Sequence, residues 1–314
     1  MTSGDPAEGR SPETALCSPL AEVLALHAAW LSGHPEGERA DFSGVALNGA
    51  PLARRNLRKA VLRCCRFRQA DFSAANLEEA ELHEADLREA LLAAADLSRA
   101  VLERVNLDGC SAPSITLCEA KLSDTTFRDA DLRQARFPDA VLARCEASQA
   151  RLAGAGFHQA KISECDFSGA DLSAAVFYGA VVRFSRFVRA KLEGAALSGA
   201  SFWGCNFRNA EMPRARFHSA DLSRSEFYSA NLEGCDFTGA TLKSASFARA
   251  RLRGARFDEA ELFAADFSGA DLFNARGLSA SQLLHARTSA ETVLPNGKRG
   301  PYVRNSGAER PAAN

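Results

Sequence analysis

The sequence predicts an all-β solenoid, a chain wound into a four-sided column. Three observations predict it. A five-residue repeat runs without a slip from Ala40 to Asn274, which is 235 residues or 47 pentapeptides. Exceptions to its small-residue position gather at an interval of 20 residues. From Phe127 onward large and smaller central residues alternate, so that each size recurs every ten. A fixed internal period is the signature of a repeat architecture and outranks local propensity.

The repeat itself reads ADFSG at 40–44, ANLEE at 75–79, ADLRE at 85–89, ADLRQ at 130–134, ANLEG at 230–234 and ADFSG again at 265–269. Its centre, at positions ending in 2 or 7, is Leu or Phe nearly everywhere. Ile162, Val182 and Met212 are apolar variants, and Ala112 and Ala147 small ones. Two residues before each centre stands Ala. A period of five fits neither regular structure: on a helix the apolar stripe would drift around the axis, and on a strand an odd period flips alternate centres to opposite faces. The centres share one interior only if the chain turns a corner every five residues, and four corners close a square of 20.

The exceptions test the square. Thirteen alanine positions hold another residue, and nine of them fall on one 20-residue ladder: Val45, Cys65, Val105, Thr125, Cys145, Cys165, Ser185, Cys205 and Ser225. The other three ladders share Arg55, Cys110, Ile115 and Cys235. One side of the column is therefore expected to have more interior room. From Phe127 onward most centres ending in 7 are Phe and most ending in 2 are Leu, which puts large residues on two opposite sides and implies a change of packing about a third of the way along.

These residues carry a resemblance to the pentapeptide-repeat family, with its A(D/N)LXX motif, over about three quarters of the chain. The resemblance implies a right-handed quadrilateral β-helix with short bridges and tight turns. At sheet spacing, about 12 coils give a rod roughly 55 Å long. Arg55 at an inward position, Ala112 and Ala147 at centres, and Pro113, Pro138 and Pro213 after centres depart from the motif and predict local distortion.

A stacked column exposes unpaired edges that need covers. The expected organisation is a disordered leader (1–18), an N-terminal capping helix and linker (19–39), the repeats (40–274), a C-terminal cap (275–300) and a disordered tail (301–314). Leu20 to Leu31 reads as an amphipathic helix stopped by Gly33, and Ser279 with Gln282 as a capping box opening a short helix over 280–287. The flanks resemble those beside the repeats of bacterial members.

Hydrophobic residues are 46% and charged residues 25%, with a formal net charge of -1, so the chain is neither a polyanion nor a nucleic-acid-binding polycation. Direct nucleic-acid binding is not expected. No apolar run is long enough to cross a membrane, and residues 1–18 lack the features of a secretory signal, so a reducing cytoplasmic setting is expected. Six of the nine cysteines (Cys65, Cys110, Cys145, Cys165, Cys205, Cys235) occupy inward small-residue positions, as enlarged alanines would. The histidines are dispersed, and the acidic residues mostly stand where the repeat wants turn chemistry. No catalytic, cofactor or metal site is read from the sequence.

Two features point outward. Arg54, Arg55, Arg58, Lys59, Arg63, Arg66 and Arg68 form a basic band, followed by an acidic band from Glu78 to Glu89. It reads either as attraction between neighbouring coils or as a site for an acidic partner. Tyr178, Phe184, Val188, Trp203, Arg208 and Tyr228 stand at outward positions and form a candidate interaction patch, since aromatics and Arg are enriched at binding hot spots. The sequence thus predicts a non-enzymatic protein–protein interaction or scaffold module, as monomer or homodimer. The resemblance supplies the alternative, a DNA mimic that binds DNA gyrase or topoisomerase IV and protects against quinolones or related toxins. Those members are strongly acidic along the rod, whereas here the signs alternate.

Overall fold

The computed structural model describes residues 12–311. A helix, α1 (Pro12–Leu31), precedes a parallel β-solenoid. Seven three-residue strands stack in sequence order: β1 (Glu81–His83), β2 (Val101–Glu103), β3 (Lys121–Ser123), β4 (Val141–Ala143), β5 (Lys161–Ser163), β6 (Val181–Arg183) and β7 (Ser201–Trp203). Each pairs in parallel with the strand 20 residues on, as in Leu82 with Leu102 and Val182 with Phe202. Isolated bridges carry the same step around all four sides, from Asp41↔Val61 to Arg256↔Arg276. We call the β1–β7 side the first side and number the others in chain order.

Each pentapeptide builds one side and one corner. The bridge residue, most often Asp or Asn, turns its side chain back to accept the backbone N–H two residues on, as in Ser43 N to Asp41 Oδ1 (2.8 Å) and Ser98 N to Asp96 Oδ1 (2.9 Å). The centre points inward and is buried. At the corner, two residues after the centre, φ is positive in every repeat from Gly44 to Asn274. This left-handed conformation disfavours any side chain by about 1–2 kcal/mol, and most strongly a β-branched one. No Val, Ile or Thr stands at a corner. The residue between centre and corner donates no ladder hydrogen bond, so Pro113, Pro138 and Pro213 remove nothing. The distortion expected at these prolines is absent: the ladder continues through the Pro113, Pro138 and Pro213 carbonyls.

The interior holds two columns of phenylalanine on the second and fourth sides. Phe167, Phe187, Phe207, Phe227, Phe247 and Phe267 stack at 4.8–5.1 Å with planes within 12°. Opposite them, Phe137, Phe157 and Phe177 stack in one run and Phe217, Phe237 and Phe257 in another. The coil spacing sets this ring spacing. Nearer the N-terminus, Phe42, Phe67 and Phe72 meet edge to face instead, so the packing changes where the sequence places the change. Ala147 interrupts the column between Phe127 and Phe167 and leaves a cavity of about 10 Å³.

The ladder of non-alanine residues follows the strands of the first side. Elsewhere the amide before each side closes the preceding turn onto the centre's carbonyl, as Ala90 N does to Leu87 O (3.1 Å). At the β1–β7 corners, and at Cys65 of the same ladder, that bond is missing among the described residues. Side chains of the ladder take its place. Thr125 Oγ1 donates to Leu102 O (2.9 Å), Cys165 N to Ser185 Oγ (3.1 Å) and Cys205 N to Ser225 Oγ (3.0 Å). Extra room is thus only part of the reason for these residues. Thr125, Ser185 and Ser225 satisfy backbone groups that an alanine would leave buried and unpaired.

At the first coil, Leu20, Val23 and Leu24 of α1 pack against the core, and the Ala40 amide donates to Nδ1 of the buried His27 (3.0 Å). Trp30 stacks on the same imidazole at 5.7 Å. α1 leaves two corners uncovered, and Val45 and Arg55 are exposed there although both hold inward positions. Helix α1 begins at Pro12, so it takes in residues 12–18 of the expected leader; residues 1–11 lie outside the described residues. After Gly277 comes α2 (Ala280–His285), opened by the Ser279–Gln282 capping box. The bridges then resume out of step, Asp266↔Arg287 and Asp271↔Val293, so non-repeat sequence pairs with the last repeats. The segment expected as a disordered tail folds back: Tyr302 packs on the core, its amide donates to Thr288 Oγ1 (2.8 Å), and Ala308 is buried.

Two tests follow. Ala94 holds a corner at φ +54° with a methyl group it does not need. Ala94→Gly relieves the left-handed strain and should raise stability by up to about 1 kcal/mol in thermal or denaturant melts. Burial pushes the pKa of His27 below 6.5; a backbone hydrogen bond to Arg58 opposes the shift, and the nearby charge of Arg39 adds to it. The unfolded chain then binds the proton more tightly, so this stabilisation is complete above about pH 6.5 and is lost as pH falls below it. The melting temperature of wild type relative to His27→Asn should be constant above that pH and shrink below it.

Candidate functional site

Two outward features compete as a site, and the structure treats them differently. In the basic band, Arg58 meets Glu78 (3.0 Å) and Glu79 (2.9 Å), Lys59 meets Glu79 (3.4 Å), Arg68 meets Asp86 (2.6 Å), and Arg63 pairs with Glu81. The Arg58 guanidinium beside it brings Glu79 down to about 2. The next coil's acidic band thus neutralises most of the basic one. Arg54, Arg55 and Arg66 remain exposed with no carboxylate partner among the described residues.

The aromatic patch contracts and sharpens. Phe184 sits at the corner between the first and second sides, at φ +50°, the one aromatic among the corner residues. Its ring meets Trp203 of β7 edge to face, with centroids 4.8 Å apart and planes at 86°. The corner above it is Gly204, where a Cβ would approach the Phe184 ring to 3.2 Å. This glycine gives Phe184 space to lie along the column. A shallow groove of about 340 Å³ opens beside the pair, lined by Arg183, Phe184, Ser201, Trp203 and Asp221. Around the corner, Val188, Arg208 and Tyr228 form a ladder on the second side. Arginines lie over these rings: Arg224 over Trp203 (5.4 Å), and Arg208 (4.7 Å) and Arg249 (5.9 Å) over Tyr228. Arg249 also donates to the Tyr228 hydroxyl (3.2 Å).

Tyr178 does not belong to this group. It is 59% exposed but stands on the Val176↔Ala196 ladder of the fourth side, opposite Tyr228. Its place in the period of five faces outward, and only its place around the square separates it. Conversely, nothing in the sequence marks Arg183, Arg224 and Arg249 as part of this group, because an arginine at these positions gives no sign that it lies over a ring or lines a groove.

Chemistry in the interior is muted. Burial pushes the thiols of Cys65, Cys110 and Cys205 up to about 12, far from nucleophilic. The inward thiols also act as weak donors, as Cys235 Sγ does to Met212 O (3.0 Å), so they do more than an enlarged alanine. Among the described residues, no group of three His, Cys, Asp or Glu side chains converges as a metal site requires. Nor is any described helix long and apolar enough to cross a membrane.

Comparison with known families places the repeat. The description "Pentapeptide repeats (8 copies)" matches residues 40–78, 52–88, 75–112, 120–159, 150–183 and 185–224, and "Pentapeptide repeat region" matches 210–287. The chain belongs to the pentapeptide-repeat family. Among solved structures it is similar to HetL, a pentapeptide repeat protein involved in heterocyst differentiation regulation from the cyanobacterium Nostoc sp. strain PCC 7120. That match has 24% identity, covers 87% of this chain and 96% of HetL, and has a TM-score of 0.36. Full-length QnrB1, a plasmid-mediated fluoroquinolone resistance protein, matches at 22% identity over 65% of this chain and 93% of its own, with a TM-score of 0.37. A pentapeptide repeat protein of the Arabidopsis thaliana thylakoid lumen matches at 25% identity over 40% and 72%, with a TM-score of 0.18. No curated protein sequence matches the chain.

Two glycines separate backbone strain from the packing of Phe184. Gly204 and Gly254 both hold left-handed corners (φ +65° and +66°), but a Cβ at Gly254 meets nothing within 4 Å. Gly254→Ala should cost about 1 kcal/mol for the backbone alone. Gly204→Ala should cost more and shift the Trp203 emission, read by fluorescence during chemical denaturation, because the Phe184 ring must move.

Proposed function

We propose that this pentapeptide-repeat protein is a non-enzymatic interaction module, a rigid column that presents the Phe184–Trp203–Tyr228 corner to a protein partner. The observation that carries the reading is that corner: an exposed Phe184 ring beside half-exposed Trp203 and Tyr228 on a regular backbone, with arginines over the latter two. Aromatic and Arg side chains held in place lose little entropy on binding, and they dominate interface energetics. We read the column as right-handed, of about 12 coils, closed by α1 at one end and by α2 with the segment after it at the other. The basic band contributes little here, since its charges are largely answered by the acidic band. The eight cysteines from Cys64 to Cys235 are free, in keeping with a reducing cytoplasmic setting.

The alternative, a DNA mimic acting on DNA gyrase, needs an acidic surface. With each repeat between residues 41 and 276 assigned to its side, no side departs from neutrality by more than one charge. That balance favours the interaction module. Purified protein should leave gyrase supercoiling unchanged and should not relieve quinolone-stabilised cleavage. Protection of gyrase at micromolar protein would overturn the reading in favour of mimicry. In the same preparation, Trp203→Ala and Tyr228→Ala should lose a cross-linked partner that wild type retains, with melting temperatures unchanged; retention of every partner by both variants would remove the corner from the interface.

A further inference from the structure

We infer that the Phe184–Trp203–Tyr228 corner takes an acidic segment of a partner protein, one that carries an aromatic or large apolar residue among its carboxylates. The inference rests on the interaction-module reading and specifies its partner's chemistry.

Arginine pairing changes along the column. In the N-terminal half, Arg63, Arg68, Arg88, Arg99, Arg104, Arg128, Arg133 and Arg144 each meet a carboxylate, whereas Arg54, Arg55, Arg66 and Arg136 do not among the described residues. Around the aromatic corner, Arg183, Arg189, Arg224 and Arg249 have no carboxylate partner among the described residues, and two of them lie over rings instead. A guanidinium over a ring keeps its donors free while its position is set.

The acids nearby offset this only in part. Asp221 lines the groove, but one of its oxygens already accepts both the amide (3.0 Å) and the hydroxyl (2.6 Å) of Ser223. Asp166 sits 3.6 Å from Arg186, and Glu226 4.0 Å from Arg208. The corner is left with unanswered positive charge around an apolar floor on which Phe184 is 55% exposed. A groove of about 340 Å³ is at the small end of ligand sites and suits one large side chain. Carboxylates on either side of that side chain would reach Arg183 and Arg224.

A single-stranded nucleic acid would also meet arginines and rings, but it needs free ring faces and an unbroken basic track. Trp203 has Arg224 over its ring and Phe184 against it, and Asp166, Asp221 and Glu226 break the track. The observations therefore favour the acidic protein segment.

The test uses the full chain and fluorescence anisotropy with four labelled probes: a short Asp/Glu peptide with one central Phe, its Lys-substituted counterpart, its Ser-substituted counterpart, and an oligothymidylate of similar length. The acidic peptide should bind, more weakly as salt rises. Trp203→Ala should weaken it about tenfold or more, and Arg183→Glu with Arg224→Glu should abolish binding. Both variants change exposed or half-exposed side chains and should melt as wild type does; Arg224→Lys, which keeps the charge but not the planar fork, should fall between. Equal binding of the Ser or Lys peptide, dependent on Trp203, would overturn the acidic specificity while leaving the interaction surface standing. Tighter binding of oligothymidylate, or no binding of the acidic peptide, would also overturn it, and the cross-linking result with Trp203→Ala would still judge the broader reading independently.

Discussion

The left-handed corner is the constraint on which the rest of the structure depends. A chain that must turn every five residues places one residue in five at positive φ, and every repeat from Gly44 to Asn274 does so. Many of these corners are occupied by Arg, Glu, Gln, Ser or Ala, which have no intrinsic preference for that conformation. The strain is tolerated because each coil is bonded to the next: the corner amide donates to the coil above, as Arg54 N does to Ser73 O and Ala94 N to Pro113 O. Each residue leaving the corner conformation would break bonds on two coils. Stacking is therefore what holds the local geometry, a cooperative arrangement expected of a column in which each unit touches only its neighbours.

The same constraint explains the interior. With the coil spacing fixed by the bridges, flat rings repeated every 20 residues can stack face to face with little adjustment, and the two phenylalanine columns do so. Where turns open on the β1–β7 side, polar atoms of the backbone lose their partners inside the core. Thr, Ser and Cys restore them from the next coil. An apolar core with a single hydrogen-bonding ladder has its coils locked in register along that side, since a slip would leave buried polar groups unpaired.

A column so regular has little means of making a cleft, and its outward chemistry comes from exceptions on the surface. Glu and Arg mostly answer one another between coils and leave each side near neutral. The corner of Phe184, Trp203 and Tyr228 departs from this, because its arginines pair with rings. Gly204 lets the exception form by leaving space for a phenylalanine to lie along the axis.

By itself, the sequence determined the period, the frame from Ala40 to Asn274, the buried centres, the side on which Ser, Thr and Cys gather, and the two sides that hold phenylalanine. All of these are consequences of one number, the spacing of apolar residues, and an unbroken spacing can be counted without coordinates. The tertiary structure alone decided what depends on distance around and between coils. It put Tyr178 on the side opposite Tyr228, paired Arg58 with Glu78 and Glu79, and brought Arg224 over Trp203. It also gave the ladder its hydrogen bonds, joined His27 to Ala40, and brought Arg287, Val293 and Tyr302 back onto the last repeats, where no period guides the eye. A repeat states which way each residue faces. Which outward side chains meet is set by rotamers, corner glycines and neighbours 18 to 21 residues away, and those contacts exist only once the coils have stacked.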